Sequence, residues 1–132
     1  MGSENISSLR PFFDDSDYPH WKFKMELYLD YDSIKLWDIV HKGWEPPKAT
    51  INSIETIVDR DDWSAIHQEG NHKNKRAMIT LVSYMTRDEG VKLQHCSSAK
   101  KMWQTLENHY EGNIQVRARM FNSIWMSMNS SK

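Results

Sequence analysis

Apolar residues recur at helical spacing along most of the chain. Trp21, Met25, Tyr28 and Leu29 share one face of a segment with Asp17 at its N-cap position and Pro19 in its first turn. A second stripe, Leu36, Trp37 and Val40, belongs to a helix that starts near Asp32 or Ser33 and stops at Gly43. A long helix is predicted from Asp61 or Asp62, which would cap it, to about Met85. Its apolar positions are Trp63, Ile66, Ala77, Met78, Leu81, Val82 and Met85. The stretch from Gln68 to Arg76 is polar, so only the two ends need burial, and Gly70 is a weak point. A short helix spans Asp88 to His95 with Val91 and Leu93 inward. Ser97 or Ser98 then caps a helix carrying Ala99, Met102, Trp103, Leu106 and Tyr110, which Gly112 ends. From Asn113 onward Ile114, Ala118, Phe121, Trp125 and Met128 again follow helical spacing.

Two stretches lack this clarity. Glu45-Pro46-Pro47 cannot continue a helix, and Ile51, Ile54, Ile57 and Val58 fit either a short helix or a loop packed over the core. Residues 1–17 are polar and acidic apart from Leu9 and the pair Phe12-Phe13, which reads as a mobile tail whose two phenylalanines dock on the body. Alternating β-branched runs bounded by hairpin turns are not discerned, so no strands are expected. The fold class is all-α, a compact bundle of five to seven short helices.

Composition narrows the function classes. Hydrophobic residues at 39% and charged residues at 27% suit a soluble domain with a core, and six tryptophans supply large buried surfaces. A formal charge of −1 gives no bulk attraction for nucleic acid. The single cysteine, Cys96, excludes an internal disulfide and suits a reducing, cytoplasmic setting. No apolar run reaches membrane-spanning length, and the N-terminus has neither a signal-peptide core nor, with Ile6 where Ser or Thr is needed, a myristoylation site.

Candidate chemistry does not cohere. His67 and His72 are five apart and spread around a helix, while His95 and Cys96 are adjacent and diverge, so no zinc set is predicted. Cys96 lacks a flanking signal for an activated thiolate. Asp14-Asp15, Asp17 and Asp59-Arg60-Asp61-Asp62 precede helix starts, where capping accounts for them. Lys73, Lys75 and Arg76, then Lys100-Lys101, then Arg117 and Arg119 read as solvated helix faces, because no aromatic residues interleave with them as stacking platforms. No catalytic residue, cofactor or metal is assigned.

Three blocks in order carry a family resemblance. Phe13-Asp14-Asp15-Ser16-Asp17-Tyr18-Pro19-His20-Trp21 resembles the opening motif of the Gag polypeptide of copia-type LTR retrotransposons, roughly Phe-x-Gly-x-Asn-Tyr-x-x-Trp. Asp15 replaces the glycine and Asp17 the asparagine. Leu36-Trp37-Asp38-Ile39-Val40 with Gly43 resembles the next block, and Ala99-Lys100-Lys101-Met102-Trp103 through Leu106 to Tyr110 resembles a third. Trp63 and the Ala77–Met85 stretch fall where the family has its long helix. The resemblance covers about residues 11 to 128. It implies a retroviral-capsid-like N-terminal lobe over residues 18–112, with 113–132 the truncated start of a second lobe. It implies the motif core Tyr18, Trp21, Leu36, Trp37, Trp63, Trp103, Leu106 and Tyr110. The implied function is a non-enzymatic structural protein that self-associates into particles, with Phe121, Trp125 and Met128 as the self-association patch. RNA capture would require a downstream zinc knuckle, which this sequence lacks, and no membrane partner is implied. The alternative is a gag-derived host module that holds a peptide or protein in an interhelical groove.

Overall fold

The computed structural model describes residues 11–31 and 34–130; within the last helix, the side chains of 113–123, 127, 129 and 130 are outside that description. The order of elements is α1 (Tyr18–Tyr31), α2 (Leu36–Lys42), β1 (Lys48–Ile51), β2 (Ile54–Ile57), a 3-10 turn (Arg60–Asp62), α3 (Ala65–Ser83), α4 (Arg87–Val91) and α5 (Ala99–Ser130). The architecture is mostly helical, as its periodicity predicts. It divides into two units, Met1–Met102 and Trp103–Lys132. Two of the helices are long, with 19 residues in α3 and 32 in α5, so "short" does not describe them all.

In the first unit α2 packs on both α1 and α3, and α3 packs on α4. The core of this unit is built from Tyr18, Trp21, Met25 and Leu29 of α1, Leu36 and Val40 of α2, and Ala77 and Leu81 of α3. Met85, Leu93 and Cys96 join it from the connections, and Ala99 and Met102 from the start of α5. Phe13 joins this core from outside the helices. It pairs with Met85 as an isolated parallel bridge, its amide donating to Tyr84 O at 2.9 Å and its carbonyl accepting from Thr86 N at 2.9 Å. Only one of the two phenylalanines docks, since Phe12 faces solvent. Of the tail read from the sequence, residues 1–10 lie outside the described residues, and Pro11 and Phe13 are buried.

The segment 48–57 corrects the sequence reading: it is a β-hairpin, neither helix nor loop. Lys48 opposes Ile57, Thr50 opposes Glu55, and Ile51 opposes Ile54. Asn52 and Ser53 turn the chain with φ of 52° and 65°, both left-handed, as a two-residue hairpin turn of the primed type requires. Isoleucines at 51, 54 and 57 imitate helical spacing, and Ser53 stands where a glycine would have advertised the turn. The three isoleucines are exposed rather than packed over the core, and Val58 is half-buried.

Helix boundaries shift for identifiable reasons. The cap of α3 is Ser64, whose Oγ accepts from His67 N at 3.3 Å; Asp61 and Asp62 lie in the preceding 3-10 turn. Ile66, in the first turn, is 81% exposed, and Val82 is also exposed, whereas Asn71 and Asn74 in the polar middle are buried. The middle of α3 is therefore packed, contrary to expectation. Thr86 caps α4, which ends at Val91; Val91 is exposed and Leu93 alone points inward. Gly112 does not end a helix, because α5 runs through it to Ser130. Ser98 caps α5 as predicted, its Oγ accepting from Lys101 N at 3.1 Å. Helix α2 begins after Lys35 and closes on Gly43 at φ 86°, while the start expected at Asp32 or Ser33 lies outside the described residues.

Candidate interaction surfaces

The acidic turn before α1 is shaped by its own side chains. Asp14 Oδ1 accepts from Ser16 N at 3.1 Å and from Ser16 Oγ at 2.5 Å. The Ser16 hydroxyl first, and its amide second, hold the Asp14 carboxyl below the usual carboxylate range. Asp15 and Asp17 have φ of 84° and 49°. Asp17 occupies the N-cap position, its carbonyl accepting from Trp21 N at 3.1 Å, but in a left-handed conformation. These are the two positions at which the chain departs from the glycine and asparagine of the motif it resembles. Glycine and asparagine are the residues that tolerate such backbone angles best. Asp15→Gly is therefore expected to raise stability by about 0.5–1 kcal/mol, read as a higher urea midpoint at constant slope. A lower midpoint would show that the Asp15 side chain is worth more than its backbone costs.

A second feature surrounds the N-terminal half of α3. Trp63 donates from Nε1 to Val58 O at 2.9 Å, which ties the end of the hairpin to the helix entry. Its ring meets Trp44 edge-on at 5.4 Å, and the Arg60 guanidinium lies 5.7 Å from its centroid. Trp44 in turn covers Gly70: a Cβ there would lie 2.4 Å from Trp44 Cδ1. The glycine is a point of close approach, not a flaw in the helix. Beside this cluster opens a cleft of about 510 Å³ lined by Arg60, Asp61, Trp63, Asn71, His72 and Lys75. The sequence reading missed it, since Arg60, Asn71 and Lys75 were not read as members of one surface. The only legible signal was the run of polar letters on α3.

The next turn of α3 holds Asn74, which is buried. Its Oδ1 accepts from Ala99 N at 2.9 Å and so satisfies the first amide of α5. In the second unit α5 exposes Ile124, Trp125, Met126 and Met128, an apolar run of four large side chains. Such runs mark contact surfaces more often than neutral ones. The side chain of Phe121 lies outside those described, as do those of Arg117 and Arg119.

The residues expected to form a motif core divide by burial. Tyr18, Trp21, Leu36, Trp103 and Leu106 are buried, whereas Trp37, Trp63 and Tyr110 are half-buried. Trp21 and Tyr18 pack with Phe13, at centroid distances of 4.8 and 5.9 Å. Trp37 stacks on His41 at 5.9 Å. Among the described residues no three His, Cys, Asp or Glu side chains are grouped to hold a metal ion, and no helix is long and apolar enough to cross a membrane.

A family model for the gag-polypeptide of LTR copia-type matches residues 25–130 of the 132. The chain belongs to that family. The matched span contains the Leu36–Val40 and Ala99–Tyr110 blocks, and the Phe13–Trp21 block precedes it. Comparisons with curated proteins and with solved structures returned no match. Membership in the copia-type gag family supports a structural Gag role, and this gag polypeptide offers surfaces of three kinds: an acidic turn, a polar cleft and an exposed apolar helix run.

Proposed function

We propose that this gag polypeptide is a non-catalytic structural subunit that self-associates, with the exposed run on α5 as a principal contact. Trp125 carries the reading. It is 58% exposed, in an amphipathic helix, with Ile124, Met126 and Met128 exposed alongside it. Large aromatics gain most when a partner removes them from water, and they dominate the energetics of interfaces. A helix that presents its apolar side chains to solvent gains stability when a copy of itself covers them. Family membership in Gag supports the same reading, since a structural polypeptide acts by repetition.

Sedimentation velocity across a concentration series tests this. The parent chain is expected to form concentration-dependent oligomers, and Trp125→Ala to raise the dissociation constant about tenfold or more. A parent chain that stays monomeric at high concentration, or a Trp125→Ala chain that associates as tightly as the parent, ends this reading.

A further inference from the structure

The cleft beside α3 is charged and polar. Lys75 and Arg60 line it, and neither makes an ion pair among the described residues. The nearest acid on the same helix, Glu69, is engaged by Lys73 at 3.3 Å. Asn71 is 9% exposed, lines the cleft, and makes no side-chain hydrogen bond among the described residues. Its amide is therefore free to donate to a polar group that enters the cleft. His72 adds a further nitrogen donor or acceptor, and Asp61 is the one carboxylate in the lining. Within the lining two cations stand against one carboxylate, with the exposed Asp59 and Asp62 flanking Arg60 and Asp61 in the chain.

The chain also carries a matching acidic element. Asp14, Asp15 and Asp17 are all exposed in one turn, and neither Asp15 nor Asp17 makes an ion pair among the described residues. The Asp14–Ser16 hydrogen bonds hold this turn in one shape before any partner arrives, which lowers the ordering cost of docking. None of its residues lines the cleft of the same molecule. We propose that the cleft of one gag polypeptide receives the Asp14–Asp17 turn of a second copy, with Arg60 and Lys75 facing its carboxylates and the Asn71 amide donating to it. The contact rests on the self-association reading above, but both its parts belong to the first unit. It is heterologous: each copy offers one turn and one cleft, so contacts of this kind repeat into rings or open filaments.

Charge exchange in the full-length chain tests the contact. One variant carries Arg60→Glu with Lys75→Glu, the other Asp15→Lys with Asp17→Lys. Each alone is expected to lose association about tenfold or more, because like charges then meet in every copy. Mixed in equal amounts, the two variants become complementary again, and hetero-association should return to near the parental level. The neutral pair Asp15→Asn with Asp17→Asn keeps residues suited to left-handed backbone, so it controls for folding and should weaken association by a smaller factor. The parental association should also fall as salt rises. If single variants associate as the parent does while Trp125→Ala does not, the contact is wrong and the self-association reading stands. If the mixture associates no better than its components, the contact is likewise wrong. A parent chain that never associates would overturn both.

Discussion

Phe13→Ala should cost about 3–5 kcal/mol, the range for removing a fully buried phenylalanine ring. The ring has no exposed surface and sits against Trp21 and Tyr18. Its backbone hydrogen bonds to Tyr84 and Thr86 survive the substitution, so the loss measures the ring alone. Against a typical total of roughly 5–15 kcal/mol, such a loss leaves the chain close to its unfolding threshold. Urea denaturation followed by tryptophan fluorescence gives the value from the shift in midpoint. A loss under about 1 kcal/mol would mean that the segment before α1 is an accessory, not part of the core.

Gly70→Ala is expected to act against the usual rule. In an open helix interior this change stabilises by about 0.5–1 kcal/mol, because alanine restricts the unfolded chain and favours the helix. Here the added methyl would stand 2.4 Å from both Cδ1 and Nε1 of Trp44, a separation that forces the indole to move. Moving it disturbs the edge-on contact with Trp63 as well. Overpacking of this kind costs about 1–3 kcal/mol, so the net effect is destabilising. The decisive measurement is the same substitution in a Trp44→Ala background, where the obstacle is gone and Gly70→Ala should now stabilise by about 1 kcal/mol. If alanine has the same sign in both backgrounds, Trp44 does not constrain Gly70.

These two sites also show where the sequence could be read and where it could not. The stripe Trp21, Met25, Leu29 is visible because its neighbours are polar and its spacing has a single interpretation. Leu36 and Val40 were legible for the same reason, and Ser98 because a serine before an apolar run signals a cap. Gly70 was legible only as a weak helix former, because its purpose lies in a tryptophan 26 positions upstream and local periodicity carries no trace of that. The hairpin was hidden by an accident of spacing: isoleucines three apart look helical, although Ile51 and Ile54 face each other across two strands. Ile66 fitted its stripe and still faces solvent, because spacing fixes the side of a helix on which a residue lies and not whether another element covers that end. The cleft joins residues of a 3-10 turn and of α3, with the paired charge of Glu69 and Lys73 beside it. Which lysine remains unpaired is a property of side-chain geometry that no spacing rule supplies.

Asn74 inverts the ordinary map of tolerance along α3. By letter it belongs to the hydrophilic stretch where exchange should be harmless; by position it is the seal on another helix's first peptide group. An aliphatic residue of similar size would fill the space yet strand the Ala99 amide, and an aspartate would answer the amide only by confining a negative charge. Tolerance of exchange thus belongs to the greasy, exposed Ile66, while the polar residue two turns later is the one the fold cannot replace freely.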